Sequence, residues 1–219
     1  MNESPDWKVG YGYQFWVSRH GYRGDGAAGQ LAVVLEQEGI SIAVNSCLSN
    51  MQNLLDIIWE ELLPELKSAP LPENPEAYRQ LENFISNLEI PAVPSTARPD
   101  VSPAGWDFQD NPAGIRRAEI SFGKDSCTLS FTTPRGKEEL HAGFGHYEDS
   151  ILQLTDSIPH PVAACARWRE PWILEIRSLI RDGIFRDIWT IHFDDEHEPL
   201  KNQAICSCFR PGKPRLFVR

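Results

Sequence analysis

The chain has 219 residues, 41% of them hydrophobic, enough to build one large domain or two small ones. A net charge of −10 and a pI near 5.1 exclude nucleic acid as the main partner, because no positive field is available for phosphates. No apolar run has the length of a membrane span, and the first residues lack the basic-then-apolar layout of a leader, so the expectation is no membrane partner and a cytoplasmic setting.

Residues 7 to 67 mix strand and helix signals. "YGYQFWVS" (11–18) alternates and is rich in aromatics, which predicts a strand. "LAVVL" (31–35) and "ISIAVNS" (40–46) are apolar runs joined by Glu36-Gln37-Glu38-Gly39, and predict a hairpin. Ser49, with Gln52 three residues on, forms a capping box. Met51, Leu54, Leu55, Ile58, Trp59, Leu62 and Leu63 then recur by threes and fours, predicting an amphipathic helix that Pro64 ends or kinks. Fully buried, these side chains represent on the order of 10–20 kcal/mol gross. Such a helix needs a sheet to lie on, and the hairpin supplies part of one.

Residues 68 to 104 hold Pro70, Pro72, Pro75, Pro91, Pro94, Pro99 and Pro103 and read as a linker with one helix. Asn74 is its N-cap, Pro75 its first residue, and Tyr78, Leu81, Ile85 and Leu88 its apolar stripe. From 105 to 219 the pattern is strand and turn. Ala118, Ile120 and Phe122 lead through Gly123-Lys124-Asp125 to Cys127, Leu129 and Phe131, and Pro134-Arg135-Gly136 leads on to Leu140, Ala142 and Phe144. Trp172, Leu174 and Ile176 are followed by Asp182-Gly183 and by Phe185, Asp187, Trp189, Ile191 and Phe193. Regular short strands of this kind predict an antiparallel barrel or sandwich, lipocalin-like in build. The predicted class is α+β.

Cys47, Cys127, Cys165, Cys206 and Cys208 contain no CxxC pair. Cys206 and Cys208, two apart, share one face of a strand instead of surrounding a metal, so buried thiols in a reducing compartment are expected. His192, Asp194, Asp195, Glu196, His197 and Glu198 are read as a charged turn after a strand, since their spacing puts the two histidines on no common face. No metal and no cofactor are expected.

The stretch Gly24-Asp25-Gly26-Ala27-Ala28-Gly29-Gln30 opens a strand, whereas a phosphate loop opens a helix, and no Gly-Lys-Ser/Thr is present. Phosphate binding is rejected. "YGYQFWVSRHGYRGDGAAGQLAVVLEQEGISIAVNS", followed by "MQNLLDIIWEELLPEL", resembles instead the last part of the serine β-lactamase-like hydrolases, which include class C β-lactamases, related esterases and penicillin-binding-protein-like enzymes. The resemblance covers residues 7 to 67. It implies that residues 1–67 are the terminal hairpin and helix of an α/β sandwich, and that 105–219 are the β-rich extension some of these hydrolases carry.

The resemblance places Gly24, Asp25 and Gly26 at the third motif, Lys/His-x-Gly, with the Ala27 backbone N–H as an oxyanion donor. Gly24 departs from the motif's cation, for which Arg19, His20 or Arg23 is the nearby substitute. The family's Ser-x-x-Lys and Tyr-x-Asn fall before residue 7 by this alignment. The literal match Ser121-Phe122-Gly123-Lys124 is rejected, because Ser121 lies in a predicted strand and the lysine in a turn. The chain is therefore expected to be inactive alone and to meet an amide or ester substrate only with a complementary catalytic part. The alternatives are a non-enzymatic β-barrel binding or accessory module, and pairing between two copies through strands that have lost their neighbours.

Overall fold

The computed structural model describes residues 4–111, 114–154, 158–193 and 200–204. The chain divides into two compact units, Met1–Ile90 and Pro91–Arg219, with the boundary inside the proline-rich stretch.

In the first unit, helix α1 (Pro5–Lys8) precedes strands β1 (Gly10–Gly12), β2 (Phe15–Val17), β3 (Tyr22–Gly26), β4 (Gln30–Leu35) and β5 (Ile40–Val44). They form one antiparallel sheet in chain order. The β4–β5 hairpin is where the apolar runs place it. The single strand expected at 11–18 is a two-residue hairpin, corrected here by Tyr13 (φ 53°) and Gln14 (φ 70°). Two successive left-handed residues match the sheet's twist, but neither is a glycine or asparagine, so composition concealed the turn.

Helix α2 (Gln52–Ile57) continues through a π turn at Ile58–Leu62 and ends in a 3₁₀ turn at Leu63–Glu65, where Pro64 has no N–H to extend the ladder. The capping box at Ser49 is not formed. The Gln52 N–H donates to Asn50 Oδ1 at 3.1 Å, and the Gln52 side chain is bound to Asp6. Leu55, Ile58 and Trp59 pack against Leu31, Val33 and Leu35. By register, Trp16, Arg23, Val33 and Ile42 share this covered face, and Val17, Tyr22, Val34 and Ser41 share the opposite one. That opposite face is bare, with Phe15 45% and Val17 43% exposed. Helix α3 (Pro75–Ser86) has the expected cap, Asn74 accepting from the Ala77 N–H at 3.0 Å, but its stripe of Tyr78, Leu81, Ile85 and Leu88 is exposed.

The second unit is one nine-stranded sheet. Its strands are β6 (Ala104–Asp107), β7 (Arg117–Phe122), β8 (Ser126–Thr133), β9 (Gly136–Phe144), β10 (Glu148–Leu152), β11 (His160–Glu170), β12 (Ile173–Ile180), β13 (Arg186–His192) and β14 (Leu200–Ala204). The order is β14-β13-β12-β11-β9-β8-β7-β6, with β10 paired to β11 beside this path. The all-antiparallel closed barrel or sandwich is corrected on two points. First, β9 and β11 run parallel through Cys165–Gly143 and Ala166–Phe144, while β10 turns back and pairs antiparallel with the first half of β11. Second, the sheet is open but curled.

The curl is visible in ring contacts. Phe131 on β8 meets Trp189 on β13 at 5.0 Å although β9, β11 and β12 lie between them in the sheet. Phe193, after β13, reaches Trp106 on β6 at 6.4 Å. Alternate residues of β7, β8, β9, β11, β12 and β13 fill the concave side, among them Ala118, Ile120, Leu129, Phe131, Leu140, Val162, Trp168, Leu174, Ile176 and Ile191. The interior is packed with side chains. No helix is long and apolar enough to cross a membrane among the described residues.

Candidate functional site

The glycine-rich segment is strand β3 and the turn that follows it. β2 pairs with β3 only at Tyr22 and Arg23, so Gly24–Gly26 have β4 on one side and no strand on the other among the described residues. Ala27 begins the turn 27–29, where Ala28 (φ 62°) and Gly29 (φ 86°) are left-handed. Ser46 Oγ is 2.8 Å from the carbonyls of both Ala28 and Gly29, and the Leu48 N–H donates to Ala28 O at 3.0 Å. Gln30 Nε2 donates to Ser46 O. The turn is thus clamped by the segment leaving β5. A Cβ on Gly29 would come within 2.1 Å of Ser46 Oγ, so the clamp itself requires that glycine.

Gly24 is different. Its φ is not left-handed, and a Cβ there would meet only Ala32 Cβ, at an ordinary 3.7 Å. Neither backbone conformation nor internal packing demands glycine. Gly24 belongs to the bare face, because it is in register with Ala32 and Ala43. Asp25 points the other way, in register with Leu31, and its carboxylate is buried against Arg23 at 3.2 Å. Burial pushes the Asp25 pKa up, and the charge and hydrogen bond of Arg23 only partly offset this.

The covered face carries a polar network that sequence reading missed. The Asp6 carboxylate, fully buried, accepts from the Arg19 N–H at 2.8 Å, Arg19 Nε at 3.1 Å, Gln52 Nε2 at 2.7 Å and Trp59 Nε1 at 3.1 Å. Burial acts to raise its pKa, yet the bonds from Gln52, Arg19 and Trp59 prevail and hold it below the ordinary value. Arg23, also fully buried, lies 4.3 Å from the centre of the Trp7 ring and donates to Ser18 Oγ and to Asp6 O. Arg19 is further held by Asp56. The arginines proposed to replace the motif's cation are therefore committed behind the sheet. His20 sits beside Trp59 at 5.2 Å, on the same side. Asp6 lies 46 positions from Gln52, and no local pattern connects them.

Ser121 and Lys124 do not form a catalytic pair. Ser121 is on β7, opposite Thr128, and Lys124 is in the β7–β8 turn closed by the Gly123 N–H to Ser126 O. The two residues line different clefts. His192 ends β13, while Asp194–Glu198, Cys206 and Cys208 lie outside the described residues. Cys127 is buried, and burial pushes its thiol up to about 12, too high for a thiolate nucleophile. The nearest hydroxyl–imidazole contact is Thr128 Oγ1 to His141 Nδ1 at 3.0 Å, with Glu139 3.9 Å from Nε2. Thr128 and His141 are cross-strand partners, so their proximity follows from pairing, and Glu139 is held by Lys137 at 2.6 Å. Among the described residues no group of three potential metal ligands comes together.

Three surface clefts mark the second unit. One of about 780 Å³ lies over β9, β10 and the start of β11, but its charges are already paired, Lys137 with Glu139 and Arg181 with Asp149. One of about 370 Å³ beside β6 is lined by Arg117, which binds Asp107 and Glu119. The third, about 330 Å³, is lined by Arg98, Lys124, Phe144 and Trp168. Comparisons with protein families, with curated proteins and with solved structures return no match to this chain.

Proposed function

We propose that this chain is the C-terminal portion of a serine β-lactamase-like hydrolase, with Met1–Ile90 as the closing part of its catalytic sheet and Pro91–Arg219 as an accessory β domain. In such an enzyme an acyl group would form on a serine of the complementary part, and water would release it, cleaving an ester or amide. This chain would supply one wall: the bare face of the sheet and the free edge of Gly24–Gly26. Gly24 is the observation that carries the reading. Glycine within a strand weakens it and often marks a place where another backbone or a ligand approaches closely, and among the described residues only Ala32 Cβ comes within 4 Å of a Cβ placed on Gly24. The exposed Phe15 and Val17 beside it support the same view, as does the outer edge of β5, which pairs with no further strand among the described residues.

The test is complementation. The isolated chain should not hydrolyse nitrocefin or p-nitrophenyl butyrate. Mixed with a class C-type hydrolase truncated before its third motif, it should co-elute and restore ester turnover, and Gly24→Val should abolish that turnover while leaving the isolated chain folded. Turnover by the isolated chain that survives Ser121→Ala would reveal a nucleophile of its own and refute the reading. The non-enzymatic alternative draws support from the packed concave interior of the second unit, which suits a structural accessory better than a barrel holding a ligand at its centre.

A further inference from the structure

The 330 Å³ cleft lies where the β7–β8 turn and the ends of β9 and β11 meet the segment 92–98. That segment is fixed to β11. The Thr96 N–H and Oγ1 both donate to Trp168 O, at 3.1 and 3.0 Å, and the Trp168 N–H donates to Ser95 Oγ at 2.9 Å. Arg98 is fixed as well, its guanidinium 4.8 Å from the centre of the Phe122 ring and its Nη1 donating to Gly123 O at 2.7 Å. A wall held in this way needs little reordering when a ligand arrives.

The chemistry of the lining is one-sided. In a chain of net charge −10, Arg98 and Lys124 both face this cleft, and among the described residues neither has a carboxylate partner. The cations of the other two clefts are all in ion pairs. Asp125 also lines the cleft, leaving a balance of one positive charge. Phe144, Val93 and Pro94 supply the apolar wall, and behind them the buried Trp168 makes tilted ring contacts with Phe122 at 5.9 Å and Phe193 at 5.4 Å. Among the described residues the buried indole N–H of Trp168 has no acceptor. At ~30 Å³ per water-sized group, the space corresponds to about eleven such groups.

We propose that this cleft binds a small aromatic carboxylate, its carboxylate between Arg98 and Lys124 and its ring against Phe144 and the Val93–Pro94 wall, close to the buried Trp168. The mouth of a β structure is a common place for such a ligand. The proposal stands apart from the hydrolase reading, which concerns the other unit.

The experiment is an NMR titration of the full chain with trans-cinnamate, following the indole N–H signals, with Trp168 assigned through Trp168→Phe. Cinnamate should shift the Trp168 signal and bind saturably. Cinnamamide should bind at least tenfold more weakly, and phenethylamine should not bind. Arg98→Ala and Lys124→Ala should each weaken cinnamate at least fivefold, and together abolish it, with the NMR spectrum of the folded chain retained because both side chains are exposed. Equal binding of acid and amide, full affinity in the double variant, or no saturable binding of cinnamate would overturn the proposal.

Discussion

The two units hide their sheets in different ways. The second curls until Phe131 touches Trp189 across the interior, so one sheet buries its own concave face. The first is a five-stranded sheet in chain order, with β1 and β5 at its edges. It covers one face with α2 and leaves the other, with Phe15, Val17, Tyr22, Gly24 and Val34, open. A self-covering sheet should be stable by itself, whereas a half-covered one carries a face whose residues contribute nothing until something lies on them.

The largest expected effects set interior against open face. Phe131→Ala removes a fully buried ring from the curled sheet and should cost about 3–5 kcal/mol in urea denaturation of the second unit. Phe15→Ala, equally aromatic but on the open face, should change the stability of the first unit by no more than ~0.5 kcal/mol. A loss at Phe15 comparable to that at Phe131 would mean that the face is covered.

Next in size is the network behind the sheet. Asp6→Ala leaves the Arg19 backbone N–H and the Trp59 indole N–H without their acceptor, at about 1–3 kcal/mol for a buried unsatisfied donor, and should destabilise the first unit by about 2–3 kcal/mol, while the Arg19 and Gln52 side chains keep Asp56. The same network sets a pH dependence. Asp6 has its folded pKa depressed, so its stabilisation is complete above the unfolded value, about 3.9, and is lost as pH falls through the lower folded value. Asp25 has its folded pKa raised, so the folded state takes up that proton first and gains stability as pH falls toward the unfolded value. The two oppose each other. Asp25→Asn should therefore make the fall in melting temperature between about pH 5 and about pH 3 steeper than in the parent chain, and Asp6→Asn should make it shallower. Identical slopes in all three proteins would contradict this assignment.

What sequence could disclose follows from how local each cause is. The β4–β5 hairpin, the strands around Phe122 and Phe131, and the Asn74 cap depend on neighbours a few residues away, and they stand where pattern puts them. The 13–14 turn was hidden because Tyr13 and Gln14 adopt a conformation their side chains do not advertise. β10 was hidden because Ile151, its most apolar residue, points outward and breaks the alternation. The parallel β9–β11 pair, the Asp6 network and the Ser95–Trp168 bond join residues 13 to 73 positions apart, beyond any periodicity. Of the candidate site, the glycine segment was legible and its surroundings were not: Arg23 was read as a cation for the cleft, but register turns it into the covered face.

The smallest effects separate glycines that serve the fold from one that does not. Gly39 is left-handed at φ +67° with open space around it, so Gly39→Ala should cost about 1–2 kcal/mol from backbone strain alone. Gly24 has neither strain nor crowding, and valine is the better strand former, so Gly24→Val should leave the isolated chain unchanged or stabilise it by up to ~1 kcal/mol. Thermal melts of the two variants side by side decide the matter. If Gly24→Val destabilises as Gly39→Ala does, then Gly24 serves this chain's own packing, and the inference that an outside surface approaches it loses its footing.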